Sequence, residues 1–115
     1  MVKDIIVGAH YGLKDWLIQR ISAAVMAAYT LIFLILLLGQ ERLDFETWHA
    51  FMAGGFMRFL TFLFIVSLMY HAWVGVRDIW MDYVKPTGLR LALHVLTLLA
   101  LLGYTGWAVS ILWRL

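Results

Sequence analysis

Three stretches of the chain run without a single Asp, Glu, Lys or Arg: Ile21–Gly39, Phe59–Val76 and Leu91–Trp113, of 19, 18 and 23 residues. Apolar residues fill them without the period-2 alternation of a half-buried strand, which argues against a β-barrel and for helices. At 1.5 Å per residue, about 20 apolar residues cross the hydrocarbon core of a bilayer. The pattern therefore predicts an all-α membrane protein of one domain, with three transmembrane helices over approximately residues 17–39, 56–84 and 89–113. The first run lacks an A-x-A-like cleavage site and leads into further spans, so it reads as a membrane helix rather than a signal peptide.

The segments between the runs carry the punctuation. Gly8 and Gly12 are expected to break the N-terminal tail ahead of Leu13, and Trp16 is placed as an interfacial anchor. In the first loop, Gln40–Arg58, the positions Phe45, Trp48, Phe51 and Met52 recur at helical spacing behind Asp44, a candidate N-cap. This predicts a short amphipathic helix on the outer interface that runs into the second span. Pro86 and Gly88 mark the turn into the third, and Trp107 and Trp113 fit an outer aromatic belt. In the first span Ser22, Ala23, Ala24, Ala27 and Ala28 permit close helix approach. They serve either packing within this chain or, as we expect for so thin a bundle, association with the helices of a partner.

Composition sharpens the class. Hydrophobic residues make up 64% and charged residues 14% of the 115, with mean hydropathy +0.89, against about 45–50% and 25% in a soluble domain. With no cysteine, a disulfide framework, cysteine-ligated zinc, an iron–sulfur cluster and a thiol nucleophile are all excluded. A net charge of +2, dispersed along the chain, is too small for a nucleic-acid surface. Lys3, Lys14, Arg20, Arg77, Lys85 and Arg90 fall on one side of the predicted topology and Arg42, Arg58 and Arg114 on the other. The positive-inside rule then places the N-terminus in the cytoplasm and the C-terminus in the periplasm.

One ionisable residue lies well inside a span. His71 is five residues, about 7.5 Å, from the cytoplasmic end of the second run, a depth at which an ionisable side chain marks a candidate functional site. Ser67 and Gly75, one turn either side on the same face, would leave room for a large flat ligand. Neutral imidazole in an apolar pocket is a common axial ligand of haem iron, and its second nitrogen would bond Ser67 or a backbone carbonyl. The bland reading is a neutral histidine bonded to a neighbouring helix. Arg20 opens the first helix on the same side and could pair with a haem propionate, or serve only as a positive-inside marker. If the second helix continues past its charge-free run, Asp78 and Asp82 stay within about 20° of the His71 stripe, and Tyr83 lies roughly 18 Å along the axis. A tyrosine beside a carboxylate can bond a quinone carbonyl and sit in a proton path; an interfacial belt with surface ion pairs explains the same residue types. His94, about 4.5 Å inside the third run, is the competing ligand and is read as interfacial. His10 and His49 fall in polar segments and carry no signal.

The run from His71-Ala-Trp-Val-Gly75 to Asp82-Tyr83-Val-Lys-Pro86, with the helix opening Arg20-Ile-Ser22-Ala-Ala, resembles the small hydrophobic membrane anchor of bacterial succinate dehydrogenase, respiratory complex II. Length and three-helix layout agree, so the resemblance covers essentially the whole chain. It implies that His71 is one axial ligand of a b-type haem, with the other histidine from a second anchor, the cytochrome b subunit. Arg20 would face a haem propionate, Tyr83 would bond a ubiquinone carbonyl, and Asp82 would shape that site and its proton supply. It further implies a helix bundle shared with that second anchor, together with an iron–sulfur subunit and a flavoprotein subunit that oxidises succinate, all at the bacterial inner membrane. This chain would itself be a non-catalytic member of the complex that contributes to the quinone site. The rivals are an anchor of the fumarate reductase type, a small structural membrane protein without haem, and a single-chain cytochrome in which His94 is the second ligand.

Overall fold

The computed structural model describes the backbone of residues 2–115 and the side chains of residues 12–115. Four helices follow in order: α1 (Val2–Leu38), α2 (Phe45–Ala53), α3 (Gly55–Tyr83) and α4 (Thr87–Arg114). Three of them contain segments long and apolar enough to cross a membrane, Gly12–Leu38, Gly55–Tyr83 and Thr87–Arg114. The molecule is elongated, 61 × 27 × 20 Å, as a layer of long antiparallel helices must be. The expected break at Gly8 and Gly12 does not occur. A helix-interior glycine costs about 1 kcal/mol relative to alanine, which the continuing helix on both sides absorbs, so α1 extends far beyond its apolar run.

Helix α3 is the hub. It packs along α1 on one side and α4 on the other, while α1 and α4 share no comparable interface. The α1 face toward α3 reads Asp15, Gln19, Ser22, Met26, Tyr29, Phe33, at intervals of four and three residues, and each of these is at least half-buried. Of the small residues noted above, only Ser22 and Ala23 turn inward; Ala24, Ala27 and Ala28 are exposed. Among the described residues the buried apolar set is just Met52, Met57, Ile65, Val74 and Leu112. In hydrocarbon the lipid tails are as apolar as leucine, so the helices gain little by hiding such side chains from it.

Aromatic contacts close the end of the bundle distant from the N-terminus. Tyr29 stacks on Phe64 with centroids 4.7 Å apart, and Phe33 meets Trp48 and Phe51 of α2 at 5.9 and 5.7 Å. These contacts fold the amphipathic α2 back on the α1–α3 pair, and Gly54, in extended backbone, separates it from α3. At the same end Arg58 donates to the Leu115 main-chain oxygen at 2.9 Å and Phe62 meets Trp113 edge-on, tying α3 to the end of α4. Pro86 caps α4 after a connection of three residues, Val84–Pro86, with its fixed φ of −64° suited to a helix start.

Asp44 caps α2, as its position before the apolar pattern predicts: its side chain accepts from the Thr47 N–H at 2.8 Å. That bond stabilises the carboxylate and holds its pKa below the ordinary 3.8. A depressed carboxyl contributes stability that is present above its ordinary pKa and is lost as pH falls through the lowered value. Asp44→Ala is therefore expected to fray α2 at neutral pH, seen as faster hydrogen exchange at the Thr47 amide. Asp44→Asn should keep the cap and abolish the acid-induced fraying of the parent chain.

Candidate functional site

A polar concavity lies between α1 and α3 at the end nearest the N-terminus. It is an open cleft of about 670 Å³ lined by Gly12, Asp15, Trp16, Gln19, Arg20, His71, Asp78 and Asp82. Because α3 continues unbroken to Tyr83, His71, Asp78 and Asp82 stand on one face at intervals of seven and four residues. Helix α1 brings its own set to the same space from its first turns inside the membrane. Depth along the sequence puts His71, Arg20 and Asp82 only on the same side of the membrane; the fold puts all three around one cleft.

His71 is held from α1. Its Nδ1 lies 3.0 Å from Ser22 Oγ, and Ser22 Oγ in turn lies 3.2 Å from the Gln19 carbonyl oxygen. The expected partner on the same helix, Ser67, instead lines a shallow lateral groove with Ile18, Ile21 and Tyr70. The neighbouring helix approaches closely enough to supply a hydroxyl at the right height. His71 Nε2 has no hydrogen-bond partner among the described residues. The space expected over Gly75 is occupied on the α1 side by Gln19: a Cβ on Gly75 would come within 3.5 Å of Gln19 Nε2. A methyl would fit there at ordinary contact distance, and the open volume lies further along, toward Arg20 and the carboxylates.

The cleft is fixed electrostatically. Arg77 of α3 pairs with Asp15 of α1, and with Asp78 at 3.8 Å, so a half-buried ion pair clamps the two helices beside the opening. Arg20 is exposed, its guanidinium 5.5 Å from the Trp16 ring centroid, and no carboxylate among the described residues pairs with it. The Oε1 of Gln19 is buried without a partner. Since the two ends of an amide side chain are interchangeable by a flip, this marks one unsatisfied amide position in the cleft wall. Together these groups can offer a nitrogen lone pair to a metal and a guanidinium fork to an anion.

Two other candidates fall outside. Tyr83 is 80% exposed at the end of α3 and turns away from the cleft, although it follows Asp82 directly. His94 of α4 packs edge-on against Trp73 at 5.9 Å, with its Nε2 buried and unpartnered. Trp73 is two residues, about 200°, around the helix from His71, so the two histidines lie on different sides of α3. The contributions of Asp15, Gln19 and Ser22 have no signal of their own in local composition. Their four-then-three spacing on the face that carries Tyr29 and Phe33 is the trace that identifies them. The side chains of Lys3 and His10 lie outside the described residues. Among those described, no three His, Asp or Glu side chains converge on a chelating site.

Comparison with known proteins places this architecture. The family described as "Succinate dehydrogenase/Fumarate reductase transmembrane subunit" matches residues 3–112. A protein of Coxiella burnetii (strain RSA 493 / Nine Mile phase I), named succinate dehydrogenase hydrophobic membrane anchor subunit, is 38% identical over 102 residues, covering 89% of each chain.

The Gly75 contact yields a direct test of the α1–α3 geometry. Gly75→Ala adds a methyl at ordinary contact distance and should leave thermal stability of the detergent-solubilised protein unchanged. Gly75→Leu should lower it by about 1–3 kcal/mol, the usual cost of overpacking. Equal stability of both variants would mean that α1 does not cross α3 at this point.

Proposed function

The chain belongs to the succinate dehydrogenase/fumarate reductase transmembrane-subunit family, and from that premise we propose that it contributes one axial ligand of a b-type haem, His71, and part of a ubiquinone-reduction site. It is a membrane anchor, a multi-pass protein of the bacterial inner membrane. In our reading it anchors a succinate:ubiquinone oxidoreductase. The name of the Coxiella relative supports the succinate-oxidising direction over fumarate reduction. Succinate is oxidised in a flavoprotein subunit, an iron–sulfur subunit passes electrons toward the membrane, and a second anchor, the cytochrome b subunit, completes the helix bundle. The exposed Ala24, Ala27 and Ala28 of α1 offer a close-approach face for such a neighbour.

The observation that carries this reading is the convergence in one cleft of an imidazole held at Nδ1, a guanidinium with no carboxylate partner among the described residues, and a carboxylate: His71, Arg20 and Asp82. They fit haem without added assumptions. An axial ligand needs one imidazole nitrogen, and Nε2 is clear among the described residues. A propionate needs a cation, and Arg20 has no carboxylate partner among them. The unsatisfied amide position of Gln19 would donate to the same group. A haem bound there supplies one-electron redox capacity. The chain's own part is to orient it, exclude water above it and neutralise its acidic edge. A second imidazole would have to come from the second anchor, because His94 packs against Trp73 on the α4 side of α3.

Tyr83 and Asp82 take the substrate role at the membrane surface. The exposed Tyr83 hydroxyl donates to a ubiquinone carbonyl in a pocket whose other walls belong to the second anchor and the iron–sulfur subunit. Asp82 accepts from water at the mouth of the cleft and passes protons toward the reduced quinone. In this reading the polar end, with Lys14, Arg20, Lys85 and Arg90, faces the cytoplasm and the Arg42, Arg58 and Arg114 end faces the periplasm, as the distribution of Lys and Arg supports.

Two substitutions test these roles. His71→Ala should abolish or severely loosen b-type haem in the purified complex while the chain still inserts, as read by a reduced-minus-oxidised spectrum. Full haem content in that variant overturns the ligand assignment, and haem loss from His94→Ala alone would favour a single-chain site. Tyr83→Phe should lower ubiquinone reduction about tenfold, equivalent to roughly 1.4 kcal/mol, with succinate oxidation by an artificial dye preserved. Equal losses in both assays would show that Tyr83 acts through assembly.

A further inference from the structure

Ser22 is the one buried polar residue among those described, at 5% exposure, and its hydroxyl makes two contacts. The Gln19 carbonyl oxygen lies 3.2 Å away and His71 Nδ1 3.0 Å away. A hydroxyl has one proton and two lone pairs, and a carbonyl can only accept. Both contacts are hydrogen bonds at once only when the hydroxyl proton goes to the Gln19 oxygen and the same Oγ accepts from His71. In that arrangement Nδ1 carries the imidazole proton. In a neutral imidazole that leaves Nε2 with its lone pair. The reverse arrangement, with Ser22 donating to Nδ1, would give up the Gln19 bond and put the proton on Nε2, where it blocks coordination.

We propose that Ser22 is the positioning residue of the haem site, fixing the Nδ1–H tautomer of His71 and raising the donor strength of its Nε2. The inference rests on His71 being the haem ligand. A ligating histidine whose other N–H is held by an acceptor is both oriented and made more basic, and loss of such a partner typically costs about 10–100-fold in metal affinity. A more basic imidazole favours the more positive, oxidised iron, so the Ser22 bond holds the haem midpoint potential down. The bond also crosses from α1 to α3, so the orientation of the imidazole follows the register of two helices rather than of one.

The experiment uses the whole purified complex and reads b-type haem by redox titration and by transfer to a haem-scavenging globin. Ser22→Ala keeps the small side chain needed for helix approach and removes only the hydroxyl. It should raise the midpoint potential and speed haem transfer about tenfold or more. Ser22→Thr, which retains the hydroxyl, should restore both. A Ser22→Ala complex with the parent's potential and transfer rate overturns the proposal, since packing is conserved in that variant. If Ser22→Ala does not assemble, hyperfine spectroscopy of the parent complex with ¹⁵N-labelled histidine decides: a hydrogen-bonded Nδ1–H is expected on this chain's ligand, and an unbonded one overturns the proposal. Failure of the underlying reading looks different. A His71→Ala complex that keeps its haem and potential removes the ligand itself, and this inference with it, whatever Ser22→Ala does.

Discussion

Water cannot reach a polar side chain in the hydrocarbon core, so each one that enters looks for its partner in a carbonyl of its own helix, as Thr30 and Thr105 do, on a neighbouring helix, or on something bound there. The architecture of this chain follows from that constraint applied to α3. At successive levels α3 offers Arg77, His71 and Thr61 to α1, and α1 answers with Asp15, Ser22 and Tyr29. Those α1 positions are seven residues apart, two turns, so they stay near one face of the helix with a drift of about 20° per step. On its other side α3 offers Trp80 to Thr97 of α4. Each such bond inside a membrane contributes on average about 0.6 kcal/mol. The set matters less for total stability than for register, because a slip of either helix would strand several polar groups at once.

The same ladder explains why so small a hydrophobic core suffices. No side chain among those described is completely enclosed, and at most 11% of any spanning window is buried within the chain. In water such a bundle would not hold. In lipid the apolar faces are already solvated, and what the interior must provide is alignment of polar groups and close backbone approach. Ser22 and Gly75 meet both needs at one crossing. Gln19 packs beside Gly75, and the serine one turn beyond Gln19 reaches the imidazole.

Much of this is legible in the sequence, for identifiable reasons. Span number follows from run length against bilayer thickness, and the Asp44 cap follows from a polar residue set just before a helical apolar pattern. His71, Asp78 and Asp82 can be aligned because their spacing on a single helix fixes their angles. What depends on two helices at once is not legible. Ser67 is the reasonable partner for His71 on same-helix spacing, yet the register of α1 against α3, set by all their contacts together, delivers Ser22 instead. The glycines of the tail mislead in the opposite sense: a local propensity of about 1 kcal/mol cannot stop a helix stabilised on both sides. Asp15 and Gln19 escape because nothing in their immediate neighbourhood distinguishes them from ordinary surface residues.

The two faces of α3 also divide its work. The side toward α4 carries indole contacts, Trp73 against His94 and Trp80 bonded to Thr97. Large rigid rings line that interface, and the groove of about 290 Å³ there, between Tyr70 and Trp73 of α3 and Leu98, Leu101 and Leu102 of α4, presents neither an imidazole nor a carboxylate. The side toward α1 carries Thr61, His71, Gly75 and Arg77, and opens into a cleft lined by both an imidazole and carboxylates. A single helix can present His71 to one side only, and the side it presents is bounded by α1, with α4 beyond reach. The proposed haem would therefore have to take a second imidazole from outside these three spans. His71 and the cleft beside it thus stand together on the α1 side of α3, away from His94 and the aromatic contacts with α4.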